Sequence, residues 1–231
     1  MSRLTSDQHA SDQRASSRPA PEASAVDAAV ARHRRPGSQR PGGRTARVRA
    51  AVLDATLSAL AEHGYAALTV DVVAARSGVH KATIYRRWGG VDGLLADALE
   101  RAAQDDWRPP DTGSLTGDLR ALNRVLLADL TDPHQGAVPA AVISAAFQSP
   151  RAAEALHAFY IDRYRRCAVI VERAMARGEL PAVVDGDELL RFATAPVFHR
   201  LFITRDVVDT ALADRAADAA VAAAQAGVFT L

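Results

Sequence analysis

The stretch "SGVHKATIYRRWGG", from Ser77 to Gly90, places a glycine turn directly before a short segment dense in hydrogen-bond donors and aromatic rings. Gly78 can adopt the left-handed backbone conformation that a tight turn between two helices needs. Ala74, four residues earlier, is small enough to let the two helices cross closely. Three aliphatic side chains would then bury against the first helix of the chain, which precedes these two, namely Val73, Val79 and Ile84. This pattern predicts a helix-turn-helix, whose second helix lies in the major groove of DNA.

The second helix of this motif carries side chains that suit DNA recognition. Lys81 and the arginines can donate to guanine acceptors, Thr83 can contact a thymine methyl group or a phosphate, and the Tyr85 hydroxyl can reach a phosphate oxygen. The N-terminus of the helix adds its own attraction for phosphate. Other roles stay open for four neighbouring residues. Arg86 and Arg87 also fit a solvated face, His80 a helix cap and Trp88 a core position.

The composition of the chain limits the classes of protein to which it can belong. Its 231 residues suffice for one or two domains with a real core, and the 48% hydrophobic and 24% charged fractions are those of a soluble globular protein. Cys167 is the single cysteine, which excludes an internal disulfide framework and a Cys-based zinc cluster and fits a reducing cytoplasm. The N-terminus lacks the apolar core of a signal peptide, and no long apolar run follows, so we expect neither export nor a membrane span.

Positive charge is concentrated at the N-terminal end of the chain. Residues 1–49 contain ten Arg and four acidic side chains, a balance of +6, while the whole chain carries only +1. A basic end suggests contact with a polyanion, although a solvated tail explains the same feature equally well. Residues 1–43 are rich in Ser, Pro, Gly and Arg and cannot bury enough apolar surface to become ordered. We therefore predict a disordered basic arm over this range.

Apolar side chains recur at helical spacing from Thr45 onwards. The first helix is expected to end before Gly64, with five apolar residues on one stripe, namely Val48, Val52, Ala55, Ala59 and Leu60. Thr69 is a plausible N-cap for the second helix, and Asp92 can cap the fourth. In the second half of the chain, helices are expected at about 114–131, 138–148, 150–177, 186–204 and 207–226. Strand-like alternation and internal repeats are absent from the sequence.

These segments predict an all-α fold of about nine helices in two domains. Residues 44–91 would form the helix-turn-helix DNA-binding domain, with three helices, and residues 92–231 a larger helical domain. The first helix of the larger domain, 92–106, would link the two.

Four short motifs follow one another between Val52 and Leu99: "VLDAT…ALAEHGY", "LTVDVVAARSGV", "KATIYRRW" and "GLL". Together they resemble the DNA-binding domain of TetR-type (tetracycline-repressor-like) transcriptional regulators. The resemblance implies that five residues of the second helix of the motif face DNA, namely Lys81, Ala82, Thr83, Tyr85 and Arg87, and that two residues opening the helix before it lie near the phosphate backbone, namely Thr69 and Val70. With their neighbours His80 and Arg86, these residues form the predicted DNA-binding set.

The chain departs from the family pattern at two places. His80 stands where Ser or Ala is usual, and Val91-Asp92 stands where a Lys-Glu pair commonly opens the fourth helix. Loss of that lysine removes a phosphate contact typical of the family. We expect the Arg-rich arm to compensate by lying along the DNA backbone or in a minor groove.

The second half of the chain resembles the ligand-binding and dimerisation domain of the same family, with "ERAMARGELPAVVDGDELL" (172–190) as its most similar phrase. The resemblance implies a homodimer built from the last two long helices and an unidentified small-molecule effector. Seven residues lie on helices that line the family's pocket: Phe147, Phe159, Tyr160, Tyr164, Cys167, Phe198 and Phe202. Core packing is the alternative for each of them, and Cys167 also suits a small buried apolar position.

The sequence thus predicts a homodimeric transcriptional regulator, a repressor that binds a palindromic double-stranded DNA operator and is released by a small-molecule effector. We expect it in the bacterial cytoplasm, associated with the nucleoid, without a membrane partner. No motif of a hydrolase, metalloprotease or nucleotide-binding enzyme occurs, so an enzyme, a cofactor and a metal site are not expected. The alternative is a dimeric helical interaction or ligand-binding module whose helix-turn-helix is vestigial.

Overall fold

The computed structural model describes residues 43–133, 136–181 and 183–231 of the chain. Within these ranges the fold is all-α, with nine α-helices and a single isolated β-bridge between Val184 and Thr230. The predicted fold class and helix number are therefore confirmed. The predicted basic arm lies outside the described residues, apart from Gly43, which begins the first helix.

The described helices follow the predicted order closely. They are α1 Gly43–His63, α2 Val70–Ser77, α3 Lys81–Trp88, α4 Val91–Ala103, α5 Leu115–Thr131, α6 Ala137–Ala146, α7 Pro150–Ala176, α8 Gly186–Phe198 and α9 Thr210–Gln225. A 3-10 turn, Tyr65–Ala67, follows α1, and α8 continues into a π-helical turn, His199–Thr204. None of the helices in the described ranges is both long and apolar enough to cross a bilayer.

Local side-chain chemistry explains where several of these helices begin and end. The hydroxyl of Thr69 accepts a hydrogen bond from the Val72 N–H at 3.2 Å, which caps α2 as predicted. Ser149 caps α7 in the same way, and Pro150 follows at the first helical position, where its missing N–H costs nothing. Gly78 ends α2 with φ 69°, the left-handed conformation expected for the turn of the helix-turn-helix.

The start of α4 differs from the prediction. Asp92 does not cap this helix, because the chain enters it through Gly90 in an extended positive-φ conformation and Asp92 already lies in the first turn. Its carboxylate instead accepts hydrogen bonds from the hydroxyls of Tyr65 and Ser149. The helix also ends at Ala103, three residues before the predicted boundary.

Two large apolar cores hold the helices together. The first contains side chains of α1 to α4 and also Val142 and Ala145 of α6 and Ala152 of α7. The second joins α5, α7, α8 and α9. A division of the chain into domains at residue 91 stays a prediction, since the core of the first three helices continues through α4 into α6 and α7.

Asn123 of α5 links α5 to α8 and α9 inside the second half of the molecule. Its side chain is fully buried, and its amide nitrogen donates to the carbonyl oxygens of Ala193 at 2.9 Å and Ala213 at 3.0 Å. A buried amide with these two partners fixes the register of three helices, because moving any of them would leave a polar group unpaired.

The segment between α4 and α5 is fastened to α7 by arginine side chains. Arg166 donates to the carbonyl oxygens of Ala103 and Asp105, at 2.8 and 3.0 Å, and to the Asp105 carboxylate at 2.8 Å. Arg163 pairs with the same carboxylate at 3.2 Å, and Arg173 donates to the Pro110 carbonyl oxygen at 2.9 Å. This arrangement holds the C-terminal end of α4 against α7.

Candidate nucleic-acid interface

Helix α3 has one buried and one exposed face. Ile84 is fully buried and Trp88, one turn later, is 7% exposed, so both lie in the first core. Burial of a side chain the size of Ile84 contributes about 2–3 kcal/mol to stability. The other side of the helix is presented to solvent, with Thr83 half-buried and five residues exposed: Lys81, Ala82, Tyr85, Arg86 and Arg87. Trp88 therefore takes the core position that the sequence left open.

The indole of Trp88 anchors α3 to the neighbouring helices through Asp97 of α4. Its Nε1–H donates to Asp97 Oδ2 at 2.7 Å, and Arg49 of α1 donates to both oxygens of the same carboxylate. The hydrogen bond from Arg49 outweighs partial burial and holds the pKa of Asp97 below its usual value, with a further lowering by the Trp88 hydrogen bond. This network fixes the angle at which α3 is presented, and neither Asp97 nor Arg49 belongs to the predicted site residues.

The N-terminal end of α2 lies beside α3 on the same exposed surface. Thr69 is exposed, as a phosphate contact requires. Val70 differs, because its side chain belongs to the first core and is only 4% exposed. A contact between the Val70 side chain and DNA is therefore not expected, while its position near the phosphate backbone stays a prediction.

His80 precedes α3 and is exposed. Its side chain makes no hydrogen bond that caps the helix, so the alternative role as a helix cap lacks the required contact. The imidazole stands at the N-terminal end of α3, where the unpaired N–H groups of the first turn favour an anion.

The charged side chains of α3 lie on two sides of the helix. Lys81 lies toward α2, and its Nζ pairs with Asp71 Oδ1 at 2.6 Å, with both side chains more than half exposed. An exposed pair of this kind contributes at most about 1 kcal/mol and can exchange its partner for a phosphate. Arg86 and Arg87 lie on the other side. There the guanidinium carbon of Arg87 lies 5.0 Å from the centroid of the Trp88 ring. Neither arginine forms an ion pair with a residue of the described ranges.

Five of the seven residues predicted to line a ligand pocket come together between α7 and α8. Their rings are in successive contact, with centroids 5.4 Å apart for Phe159 and Tyr160, 5.6 Å for Tyr160 and Phe198, and 6.1 Å for Phe198 and Phe202. Tyr164 lies 6.3 Å from Tyr160, and these five residues are called the aromatic cluster below. Burial raises the pKa of Tyr160 to about 12.

The other two predicted ligand residues lie elsewhere. Phe147 is 84% exposed at the C-terminal end of α6 and stacks on none of the cluster rings, so the structure does not bring it together with them, and its role in a ligand pocket stays a prediction. Spacing alone could not show this, because Phe147 follows the last turn of its helix. Cys167 is buried in the second core, where desolvation raises the pKa of its thiol to about 11. This placement favours the small buried apolar role for Cys167.

Comparison with known proteins adds independent evidence. Two family models match the chain: "Bacterial regulatory proteins, tetR family" over residues 52–98 and "Tetracyclin repressor-like, C-terminal domain" over residues 109–220. The uncharacterized HTH-type transcriptional regulator YdeS of Bacillus subtilis is 32% identical over 160 residues, which cover 69% of this chain and 80% of that protein. The HTH-type transcriptional regulator AqdR of Rhodococcus erythropolis is 34% identical over 145 residues, 62% of this chain and 68% of AqdR.

Solved structures show the same fold. The TetR family transcription regulator SCO0332 superposes with a TM-score of 0.61 and 30% identity, covering 76% of this chain and 97% of that structure. The SmeT–triclosan complex superposes with a TM-score of 0.54 over 79% of this chain and 94% of SmeT, at 23% identity. Both matches extend beyond the helix-turn-helix into the second half of the molecule.

Proposed function

Because the chain belongs to the TetR family of transcriptional regulators, we propose that it is a repressor that binds a palindromic operator as a homodimer and is released by a small-molecule effector. It is a DNA-binding regulator with a helix-turn-helix rather than an enzyme. Its place of action would be the bacterial cytoplasm, at the nucleoid that carries the operator.

The observation that supports this proposal is that α3 has one buried apolar face and one exposed polar face. Ile84 and Trp88 fasten the helix to the first core, and the opposite face leaves Lys81, Tyr85 and Arg86 in solvent. A short helix rigidly held by its apolar face, with donors on the other, has the geometry that major-groove recognition requires.

A second copy of the chain would be accommodated on α8 and α9, which pack against each other. Phe192 of α8 is about half exposed, Ile203 of the π-helical turn and Val207 just after that turn are largely or fully exposed, and α9 presents a small-residue face that includes Ala211 and Ala219. Leaving such apolar side chains in water is unfavourable, and a twofold axis through this surface would cover the same patch on both copies. Two α3 helices about 34 Å apart would then meet successive major grooves.

The aromatic cluster is the part of the described chain best suited to an effector. Its members are partly buried between α7 and α8, and the hydroxyl of Tyr164 lies 3.2 Å from that of Thr194. The nearby guanidinium groups of Arg163 and Arg166 are already engaged by Asp105. These contacts support an aromatic, uncharged effector over an anionic one. A solved structure with the same fold, that of SmeT, is a complex with triclosan.

Effector release would operate as a shift between two dimer geometries. An effector that binds the DNA-incompetent geometry more tightly shifts the dimer toward that geometry. The affinity for the operator can then fall at most by the ratio of the effector's affinities for the two geometries. Helix α4 is the mechanical link in this proposal, since it contacts both the α1–α3 unit and α7.

The experiment that tests the proposed function is selection of bound duplexes from a random-sequence pool by the full-length chain at near-physiological salt. We expect an inverted-repeat consensus. Tyr85→Phe and Lys81→Ala should weaken binding to that consensus while leaving folding unchanged. Arg165→Ala is the matched control for charge, because Arg165 is an exposed arginine of α7 that pairs with Asp162 on the same helix. Recovery of no consensus, with salt-sensitive binding only, would refute the operator and favour the interaction module with a vestigial helix-turn-helix.

A further inference from the structure

A cationic cleft of about 520 Å³ opens between the N-terminal end of α1 and α3. Three arginines, two threonines and one valine line it: Arg44, Thr45, Val48, Thr83, Arg86 and Arg87. None of these lining residues is acidic, and the first turn of α1 carries no acidic residue either. The cleft therefore concentrates positive charge and hydroxyl donors with no carboxylate among its lining residues, although Arg87 also interacts electrostatically with Asp97.

The arginines of this cleft differ from most others in the described chain. Arg44 and Arg86 form no ion pair with any described residue, whereas the arginines on α5 that face α9, Arg120 and Arg124, each donate two hydrogen bonds to one Asp carboxylate. Guanidinium groups collected in a concave site without acidic partners are suited to an external anion, and their planar fork matches the oxygens of a phosphate.

The position of the cleft identifies the source of that anion. Arg86 and Arg87 follow Thr83 by three and four residues, so all three share the side of α3 that faces α1. Lys81 lies on the other side, which faces α2 and Asp71. A helix in the major groove has base edges below it and a phosphate backbone on each side. The N-terminal end of α2, with Thr69, stands on one side of α3, and the cleft stands on the other.

We propose that this cleft binds a backbone phosphate of the operator on the groove wall opposite to α2, which makes the N-terminal end of α1 a DNA-contacting element. Arg44 of α1 and Arg86 of α3 grip the same phosphodiester group, and the hydroxyls of Thr45 and Thr83 supply further donors to its oxygens. The inference rests on the proposed function, because the anion is part of the operator duplex.

The test compares Arg44→Ala with Arg47→Ala in the full-length chain, using the operator obtained from the selection. Both substitutions remove one exposed arginine from α1, but Arg47 does not line the cleft, and its Nε donates to the Gly43 carbonyl oxygen. We expect Arg44→Ala to weaken binding about tenfold near 0.1 M salt, a typical effect of removing a charge-assisted hydrogen bond. The slope of log K against log salt concentration should fall by about one, because one phosphate is no longer neutralised by the protein. Arg47→Ala should leave this slope close to that of the unmodified chain.

A second arm locates the contact on DNA. Single phosphates flanking each half-site are replaced by neutral methylphosphonates, and the affinity loss is measured for the unmodified chain and for Arg44→Ala. At one phosphate in each half-site, the methylphosphonate should weaken binding by the unmodified chain but should not weaken binding by Arg44→Ala any further. On that duplex the two proteins should therefore bind with the same affinity. Additive losses at every position, or equal effects of Arg44→Ala and Arg47→Ala, would overturn the inference. Absence of any sequence-specific binding by the unmodified chain would instead refute the proposed function, so the two failures are distinguishable.

Discussion

Replacement of Asp97 by alanine should destabilise the whole α1–α3 unit, because one carboxylate holds three helices together. It accepts from Trp88 of α3 at 2.7 Å and from Arg49 of α1, and it belongs to α4. Asp97→Ala leaves the indole N–H of Trp88 without an acceptor in a residue that is only 7% exposed, at a cost of about 1–3 kcal/mol. Arg49 retains access to water, so loss of its ion pair adds at most about 1 kcal/mol. We expect a total of about 1–4 kcal/mol.

Asp97→Asn is the matched control, because the amide oxygen can still accept from Trp88 while the charge is removed. It should cost about 1 kcal/mol, the value of the ion-pair component alone. Thermal unfolding followed by far-ultraviolet circular dichroism, at one fixed chain concentration, measures both. For a protein of this size, about 1–4 kcal/mol corresponds to a fall in Tm of about 2–16 °C. Equal Tm values for the two variants would refute the assignment of the larger cost to Trp88.

The same carboxylate makes stability depend on pH in a defined direction. The hydrogen bond from Arg49 lowers the folded-state pKa of Asp97 below its unfolded value of about 3.9. Its contribution is therefore fully present above that unfolded value and is lost as pH falls through the folded-state pKa. The stability difference between the unmodified chain and Asp97→Asn should be constant from about pH 7 to about pH 5 and shrink below about pH 4.

Three further results are expected. Gly93→Ala should destabilise the junction of α3 and α4 by about 3 kcal/mol, because a Cβ at this position would lie 1.9 Å from the Trp88 carbonyl oxygen; an unchanged Tm would contradict this packing. Asp92→Ala should lower the Tm by several degrees, since it leaves the buried Ser149 hydroxyl without its acceptor, and Asp92→Asn should restore part of the loss. Cys167 should react with Ellman's reagent at about pH 8 only as fast as the chain unfolds, because burial raises the pKa of its thiol to about 11; rapid labelling of the folded protein would show that the site is open.

Features that depend on neighbouring residues in the sequence were predictable. The cap at Thr69, the left-handed turn at Gly78 and the Ser149-Pro150 start of α7 each follow from the chemistry of one or two residues. Helical spacing also placed Ile84 and Trp88 on one face, which left the opposite face of α3 as the candidate DNA surface. These elements determine most of the helix boundaries and the core of the candidate site.

Features that depend on long-range contacts were not predictable. Asp92 is of a residue type common at N-caps and lies near a helix start. Its carboxylate instead accepts hydrogen bonds from the hydroxyls of Tyr65 and Ser149, which are 27 and 57 residues away in the sequence. The link from Arg49 to Asp97 spans 48 residues and leaves no local signal. Val70 shows the same limit, because a residue directly after an N-cap faces either solvent or core according to how its helix crosses the next one.

The contacts at the two ends of α4 indicate how an effector could act at a distance from DNA. Its first turn is joined to α7 through Asp92 and Ser149, and Asp105, just beyond its last turn, is held by Arg163 and Arg166 of α7. Arg163 also lies over a ring of the aromatic cluster, 5.2 Å from the centroid of Phe159. A molecule that moves the Phe159 ring would therefore act on Arg163, which is paired with Asp105. Because α4 is fastened to α7 at both ends, the effector mechanism proposed above would move this helix as a whole and would carry the shift to the Asp97 carboxylate, which accepts from Trp88 of α3.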